Sequence, residues 1–185
     1  MPIPEDKQYC LNIINKEKMA SDIKKAKEKN VNFVCVSLHW GEYGISKPSQ
    51  EQVELKDFLL ASGADIILGN NPKVIGPIEQ KLIEDELGRG RGIVVAYSLG
   101  NFASEPLGGN TNISMILNIE ITKEGGQTYI SQISYRPIYI EENVILDIID
   151  EIQSYESKET GAVDEYTYEK LINALETAKE LTGIR

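Results

Sequence analysis

The sequence predicts an α/β fold that ends in an antiparallel α+β segment, and three patterns indicate it. Apolar runs of strand length alternate with amphipathic helical patterns up to residue 97, which is typical of α/β units around a parallel sheet. Beyond residue 112, apolar and polar residues alternate on both sides of a glycine turn, as in an antiparallel hairpin with one solvated face. An amphipathic pattern near the carboxyl terminus predicts a closing helix.

The first predicted elements are a helix over residues 16–30 and a strand over Val31–Leu38. Asn15 is a suitable N-cap, because its short side chain can accept a hydrogen bond from the first helical turn. Apolar residues then recur with helical spacing, and Lys and Glu occupy the other positions. The strand follows from an apolar, β-branched run, within which Cys35 is predicted to be a small core residue.

A second helix and two short buried strands come next. The helix is predicted over Gln50–Ser62, after a loop rich in Gly, Pro and Ser, and Gly63 ends it as a C′ glycine. Asp65–Leu68 and Ile93–Tyr97 are apolar runs typical of buried parallel strands. Between them, Val74–Leu82 is predicted to be a semi-apolar link, because a Gly-Pro pair interrupts it.

The later part of the chain is predicted to contain a hairpin and helical segments. Ile113–Thr122 and Thr128–Ile140 pair as strands across the Glu124–Gln127 turn. The preceding Glu84–Gly92 stretch is rich in glycine and charge, which predicts a surface loop or a hairpin tip. Helical spacing over Val144–Ile152 predicts a partly helical, acidic segment.

A last helix is predicted over Glu165–Leu181, with Asp164 as its N-cap. We divide the chain at residue 140, into a main domain over 1–140 and an acidic helical tail over 141–185 that packs on it. The apolar stripe of the last helix needs a surface to cover, and folding back over the first sheet is one solution.

Composition excludes several classes of function. The chain has 185 residues and a net charge of -10, with a pI near 4.7. This balance argues against a nucleic-acid partner, because phosphate binding relies on clustered Lys and Arg. Two cysteines do not make a disulfide framework. No apolar run is long enough to span a membrane, and the first residues lack the pattern of a signal peptide.

Three polar motifs each follow a predicted strand: Ser37–Gly41, Gly69–Val74 and Tyr97–Phe102. Because the carboxyl ends of parallel strands share one edge of a sheet, we expect the motifs to lie together. The single histidine of the chain, His39, stands in the first of them. The sequence therefore predicts a functional site at this edge.

Each candidate residue has a plain structural alternative. His39 is a metal ligand, a general base or a buried histidine with satisfied hydrogen bonds. Asn70 and Asn71 either offer amide groups to a ligand or simply form a tight turn. Lys73 is an anion contact or a solvated charge. Ser98 lacks the glycine two positions earlier that a nucleophile elbow requires, and no second histidine is present to activate it.

Taken in order, the motifs resemble the poly-γ-glutamate capsule-biosynthesis family of bacteria. The family pattern runs S-L-H-W-G, then Pro and Gln, then G-A-D, G-x-H-P-H-V, a Pro-Ile-Glu segment and Y-S-L-G-N-F. The matching residues, within roughly 10–140, are Ser37–Gly41, Pro48, Gln52, Gly63–Asp65, Pro72, Val74, Pro77–Glu79 and Tyr97–Phe102. Asn71 and Lys73 replace the two histidines of the G-x-H-P-H-V motif.

The resemblance implies a calcineurin-like metallophosphoesterase sandwich, of which this chain corresponds to the carboxyl-terminal half. The resemblance implies that the first metal ligands and the family's catalytic histidine lie in the earlier half of the domain. Within this chain, His39 is the candidate catalytic residue and, together with Asn71, a candidate metal ligand. The candidate substrate contacts are Asn70, Lys73, Ser98 and Asn101. A divalent Mn, Fe or Zn ion is implied for the intact family domain. For this chain alone no cofactor is expected, because a two-metal centre needs several imidazoles.

Three functions remain as alternatives. In the first, the chain is a capsule-biosynthesis protein whose metal site is degenerate, and the protein has a binding or scaffolding role. In the second, it is half of an active metal-dependent phosphoesterase or hydrolase. In the third, it is an unrelated domain that binds a small ligand. The expected partners are an anionic polymer or phosphoester-type ligand, and either a second copy of the chain or the amino-terminal half of the domain. The resemblance implies that the parent protein acts at the cell envelope or outside the cell.

Overall fold

The computed structural model of the protein describes residues 12–84, 90–142 and 144–184. The elements, in chain order, are α1 (Lys16–Glu28), β1 (Cys35–His39), α2 (Gln50–Ala61), β2 (Ile66–Asn70), β3 (Ile78–Glu84), β4 (Gly90–Ala96), β5 (Ile113–Glu124), β6 (Gln127–Glu141), β7 (Val144–Asp147), α3 (Ile148–Glu156) and α4 (Glu165–Thr182). They form a mixed α/β fold with two sheets.

The helix ends follow the capping residues of the sequence. The side chain of Asn15 accepts a hydrogen bond from the Lys18 N–H at 2.8 Å, and that of Asp164 accepts one from the Thr167 N–H at 2.8 Å, so both predicted N-caps are confirmed. Helix α2 begins in a capping box between Ser49 and Gln52. After its C-cap, Gly63 adopts a φ of +107° that favours glycine, as predicted for a C′ position.

The first sheet has the strand order β1-β2-β4-β3. Strands β1, β2 and β4 run parallel, as predicted, but β3 pairs antiparallel with β4. The prediction of a link over Val74–Leu82 is therefore wrong for its second half. Strand β3 lies at an edge, and most of its residues are exposed or half-buried, so it lacks the apolar run that identified the other strands. Residues 85–89 of the predicted Glu84–Gly92 loop lie outside the described residues, and its two ends belong to β3 and β4.

The strand bounds differ from the predicted ones because ladder pairing, not hydropathy, decides them. Strand β1 begins at Cys35 rather than Val31, since its pairing with β2 starts with Cys35 and Ile66. The prediction of Cys35 as a core residue is wrong. On the edge strand β1, alternate side chains point away from the helices, and Cys35 is exposed.

Helices α1 and α2 cover one face of the first sheet. The core between them contains Leu59 and Ile67, which are fully buried, and apolar residues of β4 such as Val95. Burying one such side chain contributes about 1.5–3 kcal/mol to stability. This layer holds the parallel strands in place, and with them the edge at which the predicted site lies.

The amino-terminal end of this sheet contains a buried ion cluster around Asp65. One carboxylate oxygen of Asp65 accepts hydrogen bonds from Lys27 Nζ and the Val34 N–H, both at 2.8 Å. The other accepts one from the Arg91 guanidinium at 2.6 Å, and the Asp65 side chain is only 5% exposed. Arg91 also donates to two backbone carbonyls near the end of α2. The cluster ties α1, α2, β2 and β4 together.

The second sheet has the order β5-β6-β7, and all its pairs are antiparallel. The predicted hairpin is confirmed, with Glu124 paired to Gln127 across its turn. The prediction of helix from Val144 is wrong for its first turn, because Val144–Asp147 pairs with β6 and the helix begins at Ile148. Asp147 is the N-cap that stops the strand and starts α3.

Helix α4 packs on α3 and on the second sheet, in a core that includes Leu171, Ala178, Ile148 and Met115. The alternative in which this helix folds back over the first sheet is therefore wrong. Its apolar stripe finds a surface beside β5 and β6, since those strands bury one face and leave the other exposed.

The two sheets meet at Gly100, directly after β4. The Ser114 hydroxyl and the Met115 N–H both donate to the Leu99 carbonyl, at 2.8 and 3.2 Å. Gly100 has a φ of +90°, and a Cβ there would lie 2.8 Å from Ser114 Oγ. Only glycine fits this crossing without a shift of its neighbours. In the described part of the chain, no helix is long and apolar enough to cross a membrane.

Candidate functional site

The structure brings the three motifs together at the carboxyl-terminal edge of the first sheet. His39, the last residue of β1, is paired in register with Asn70, the last residue of β2. The Leu99 N–H, just after β4, donates to the Gly69 carbonyl at 3.2 Å. The predicted placement of His39 beside the two other motifs is confirmed, because parallel strands end at a common edge.

The turn after β2 is tied to the loop after β1. Asn71 Nδ2 donates to the Gly41 carbonyl at 2.7 Å, and the Gly44 N–H donates to the Pro72 carbonyl at 2.8 Å. Asn71 and Lys73 have φ values of 112° and 59°, in the left-handed region that non-glycine residues rarely adopt. Such a conformation costs of order 1–3 kcal/mol and persists where surrounding contacts over-determine it, which is frequent at binding sites.

The polar groups at this edge present hydrogen-bond donors and positive charge. The side chains of His39 and Asn70 are exposed and lie on the same face, since their residues are register partners. The Lys73 ammonium lies 5.8 Å from the centroid of the Tyr43 ring, in cation–π range. The edge therefore carries an ammonium, an imidazole and an amide on neighbouring turns, and N–H groups of these kinds can donate hydrogen bonds to an anion.

The side chains of Ser98 and Asn101 are buried, at 1% and 4% exposure. Ser98 Oγ accepts a hydrogen bond from the Gly100 N–H at 3.3 Å. Asn101 donates to the carbonyls of Ser104 and Thr111 and accepts from Ser104, which organises the loop after β4. Their role as substrate contacts stays a prediction; in the structure their polar atoms have internal partners.

Beneath the site, Trp40, Gly69 and Tyr97 form a buried contact, called the clasp below, that was not predicted from the sequence. Trp40 follows His39, and strand alternation therefore turns it to the opposite, buried face. Its indole Nε1 donates to the Tyr97 carbonyl at 2.9 Å, and the two rings stack with centroids 5.7 Å apart. The indole crosses directly over Gly69, where a Cβ would lie 2.1 Å from the Tyr97 oxygen. The strand-end glycine was the signal that could have found this contact.

Tyr97 also makes a partly buried contact, with Glu79 of β3. The Tyr97 hydroxyl donates to Glu79 Oε1 at 2.8 Å. Burial and the neighbouring Glu79 carboxylate raise the pKa of Tyr97 far above its usual range. Burial alone would raise the pKa of Glu79, but hydrogen bonds from Lys81 and Tyr97 and the charge of Lys56 together lower it. The site edge is thus connected through Tyr97 to an ionised carboxylate of the adjacent strand.

We expect the lowered pKa of Glu79 to make stability depend on pH in the acid range. As the pH falls below the ordinary Glu value of 4.5, the unfolded chain takes up the proton first. The contribution of Glu79 is therefore complete above that value and is lost as the pH falls through the lower folded-state pKa. Urea unfolding at pH 7 and pH 3 should show a smaller acid-induced loss of stability in Glu79→Gln than in the wild type. An identical loss in both proteins contradicts this expectation.

The donors at the edge do not fit a pair of divalent metal ions. His39 supplies a single imidazole, and Asn71, whose amide nitrogen donates to the Gly41 carbonyl, has only its neutral amide oxygen to offer. Lys73 carries a positive charge into the same turn, which repels a cation. Among the described residues, no group of three or more His, Cys, Asp and Glu side chains is arranged to hold a metal ion.

Comparison with known proteins identifies the family. The family described as bacterial capsule synthesis protein PGA_cap matches residues 2–106, more than half of the chain. The PGA biosynthesis protein CapA of Bacillus subtilis (strain 168) is 30% identical over 123 residues, which cover 66% of this chain and 27% of that protein. The capsule biosynthesis protein CapA of Bacillus anthracis is 32% identical over 108 residues, which cover 58% of this chain and 24% of that protein.

The family match includes both motifs that build the site edge after β1 and β2, and it ends just after the β4 motif. The chain spans about a quarter of the length of the curated relatives that it matches. The order of the motifs, their meeting at one sheet edge and these matches lead to one conclusion: the chain belongs to the bacterial capsule synthesis protein family.

Proposed function

We propose that this chain serves the synthesis of a poly-γ-glutamate capsule by binding the polymer, not by hydrolysing it. The edge formed by His39, Asn70 and Lys73 holds free α-carboxylates of the polymer. The names of the Bacillus relatives support the capsule process. A cell-envelope place of action is part of the same proposal.

The observation that carries the proposal is the constrained Lys73. The left-handed backbone of Lys73 sets the direction in which its side chain leaves the turn. The hydrogen bond that the Gly44 N–H donates to the carbonyl of the preceding residue, Pro72, holds this turn in place. Stacking over Tyr43 restricts the side chain further. A cation that is held in place loses less entropy on binding a carboxylate than a free surface lysine does. In an acidic chain, a pre-positioned cation of this kind supports anion recognition.

Replacing Lys73 by Ala should weaken binding of poly-γ-glutamate about tenfold, since a hydrogen bond to a charged group contributes about 1.5 kcal/mol or more. Isothermal titration calorimetry at low salt measures the change. Lys47→Ala is the matched control, because Lys47 is an exposed lysine of the neighbouring loop and removes the same charge. Equal losses of affinity in the two variants would show that only the net charge of the protein matters, and would contradict the proposal.

A second candidate function is half of a metal-dependent hydrolase. The exposed imidazole of His39 at the strand end favours it, because an accessible imidazole can ligate a metal ion. In that case the two sheets are part of a calcineurin-like sandwich, and the remaining metal ligands come from another segment. We propose the sandwich as the fold relationship for either function, on the strength of the parallel β1-β2-β4 core and the second sheet.

We expect the isolated chain to bind Mn²⁺ or Zn²⁺ weakly or not at all at this edge, because one imidazole cannot hold a catalytic ion, which takes at least three protein ligands. Calorimetry with each metal, on the wild type and His39→Ala, checks this. Tight binding that His39→Ala abolishes would refute the expectation and favour the hydrolase. Turnover of a generic phosphodiester by the chain alone, lost on addition of a chelator, would do the same.

A further inference from the structure

A cleft lies between the loop after β1 and the first turns of α2, and we call it the α2 cleft. Its volume is about 710 Å³, within the range of about 300–1,000 Å³ that is usual for small-molecule sites. The side chains of Trp40 and Leu55, each 6% exposed, supply apolar lining. Gly41 and the start of α2 supply polar groups. An apolar cleft with a few polar groups is typical of a binding site.

The Gln52 side chain lines the α2 cleft and is only 7% exposed. Its Oε1 accepts a hydrogen bond from the Ser49 N–H at 3.1 Å, and only the oxygen of the amide can do so. The amide nitrogen Nε2 therefore points the other way, and a Cβ on Gly41 would lie 3.0 Å from it. Nε2 donates to no group of the described residues, and it is open to the cleft rather than enclosed by protein.

A largely buried amide without an acceptor costs free energy unless a bound molecule supplies one. Gln52 thus offers a fixed hydrogen-bond donor to a ligand in the α2 cleft. The first turn of α2 favours the same kind of group, because the first N–H groups of a helix have no intrahelical acceptor and the helix dipole attracts negative charge there. The polar end of the cleft therefore fits a carbonyl or carboxylate oxygen.

The charged side chains that line the α2 cleft are mainly acidic. Glu42 of the loop and Glu51 and Glu54 of α2 are among them. Lys16 of α1 is the one lining cation in the part of the chain that the structure describes. Three carboxylates outweigh one ammonium group, and this balance favours a ligand that also carries a positive charge.

We propose that the α2 cleft binds the head group of an α-amino acid. Its α-carboxylate accepts a hydrogen bond from Gln52 Nε2, and its α-ammonium faces the carboxylates of Glu42 and Glu51. This head group meets both requirements at once, because it carries an acceptor and a positive charge on a single carbon atom. The cleft borders the proposed polymer site, since Gly41 lines it and the Gly41 carbonyl accepts the hydrogen bond from Asn71.

Two sources can supply this head group. One is a free amino acid. The other is the amino-terminal end of a γ-linked glutamate chain, because bonds through the γ-carboxyl leave every α-carboxylate free but acylate every α-amino group except the first. The second source rests on the proposed function, whereas the head-group site itself does not.

Calorimetry with three probes tests the head group: γ-linked triglutamate, the same tripeptide with an acetylated amino terminus, and glutamate. We expect the free tripeptide to bind at least about tenfold more tightly than the acetylated one, because acetylation removes the ammonium charge. Weaker binding of glutamate than of the free tripeptide supports the site with the polymer end as its ligand, and equal binding supports it with a free amino acid. Equal binding of the free and acetylated tripeptides would overturn the proposal.

A matched pair of variants tests the donor. Gln52→Glu keeps the capping box, in which glutamate is as suitable as glutamine, and replaces Nε2 by an oxygen that repels a carboxylate. Gln50→Glu adds the same charge to the exposed start of α2 and leaves Nε2 in place. Gln52→Glu should weaken binding of the free tripeptide at least about tenfold, and Gln50→Glu should not weaken it. Equal losses of affinity would overturn the proposal.

Nuclear magnetic resonance on the wild type covers the case in which Gln52→Glu does not fold. The free tripeptide should shift the signals of the Gly41 N–H and of the Gln52 side-chain amide. The side-chain amide of Gln80, on the edge strand β3, should keep its position. Unchanged Gly41 and Gln52 signals at saturating tripeptide would overturn the proposal.

Lys73→Ala separates this inference from the proposed function. The variant should bind long poly-γ-glutamate more weakly and still prefer the free tripeptide to the acetylated one. Loss of that preference in Lys73→Ala would assign the head group to the Lys73 edge and overturn the α2 cleft as its site. Unchanged polymer binding together with a retained preference supports the cleft and contradicts the proposed function alone.

Discussion

Replacing Gly69 by Ala should destabilise the protein by at least about 3 kcal/mol, which combines overpacking with loss of a buried hydrogen bond. A Cβ at this position would lie 2.1 Å from the Tyr97 carbonyl oxygen and 2.2 Å from Trp40 Nε1. Neither neighbour can move freely, because the indole is buried, stacked on Tyr97 and hydrogen-bonded to that carbonyl. The cost is steric, since the structure gives Gly69 no left-handed φ.

Urea unfolding of Gly69→Ala and Gly92→Ala separates this effect from the general cost of replacing a strand glycine. Gly92 lies in β4 with an ordinary backbone, and its nearest Cβ contact would be 3.9 Å, from Ile130. We expect Gly92→Ala to leave stability unchanged or to raise it slightly, because alanine has less conformational freedom in the unfolded chain. A loss below about 1 kcal/mol in Gly69→Ala would show that the clasp is not rigid.

The second large effect is expected at Asp65. Replacing it by Ala removes the carboxylate that joins Lys27, Arg91 and the Val34 N–H, and leaves the partly buried Arg91 without its ionic partner. Breaking a buried ion pair from one side costs about 3–5 kcal/mol. We expect a loss in this range in urea unfolding, together with faster hydrogen exchange at the start of β2.

Asp22→Ala is the matched control for Asp65→Ala. Asp22 pairs with Lys25 at 3.2 Å, but the two side chains are 57% and 66% exposed. An exposed pair contributes about 0–1 kcal/mol, since water and salt screen the charges. Similar losses of unfolding free energy in the two variants would contradict the view that burial makes the Asp65 cluster more stabilising than an exposed ion pair.

The sequence predicted the fold class and most helices and strands because local signals carried them. The N-caps Asn15 and Asp164 and the hairpin turn at Glu124–Gln127 are chemical features of a few adjacent residues. Strand β3 was missed for the opposite reason. Its residues are half polar, and only the pairing with β4 makes the segment a strand.

The candidate site shows the same division. The placement of His39 near Asn70 and Asn71 followed from the rule that parallel strands end at a common edge. The clasp beneath it did not, because Trp40, Gly69 and Tyr97 are far apart in the chain and meet only after the sheet has formed. The spacing of residues in the sequence likewise did not predict that Asn101 is buried and supports the loop after β4.

What the sequence determined by itself is therefore local: where helices begin, where the hairpin turns, and which polar motifs end the buried strands. Only the tertiary structure decided the order of the strands, the exposed position of Cys35 on an edge, and the surface that α4 covers. The reason is physical. Capping and turn chemistry act over a few residues, whereas edge and core positions depend on which distant segments bury one another.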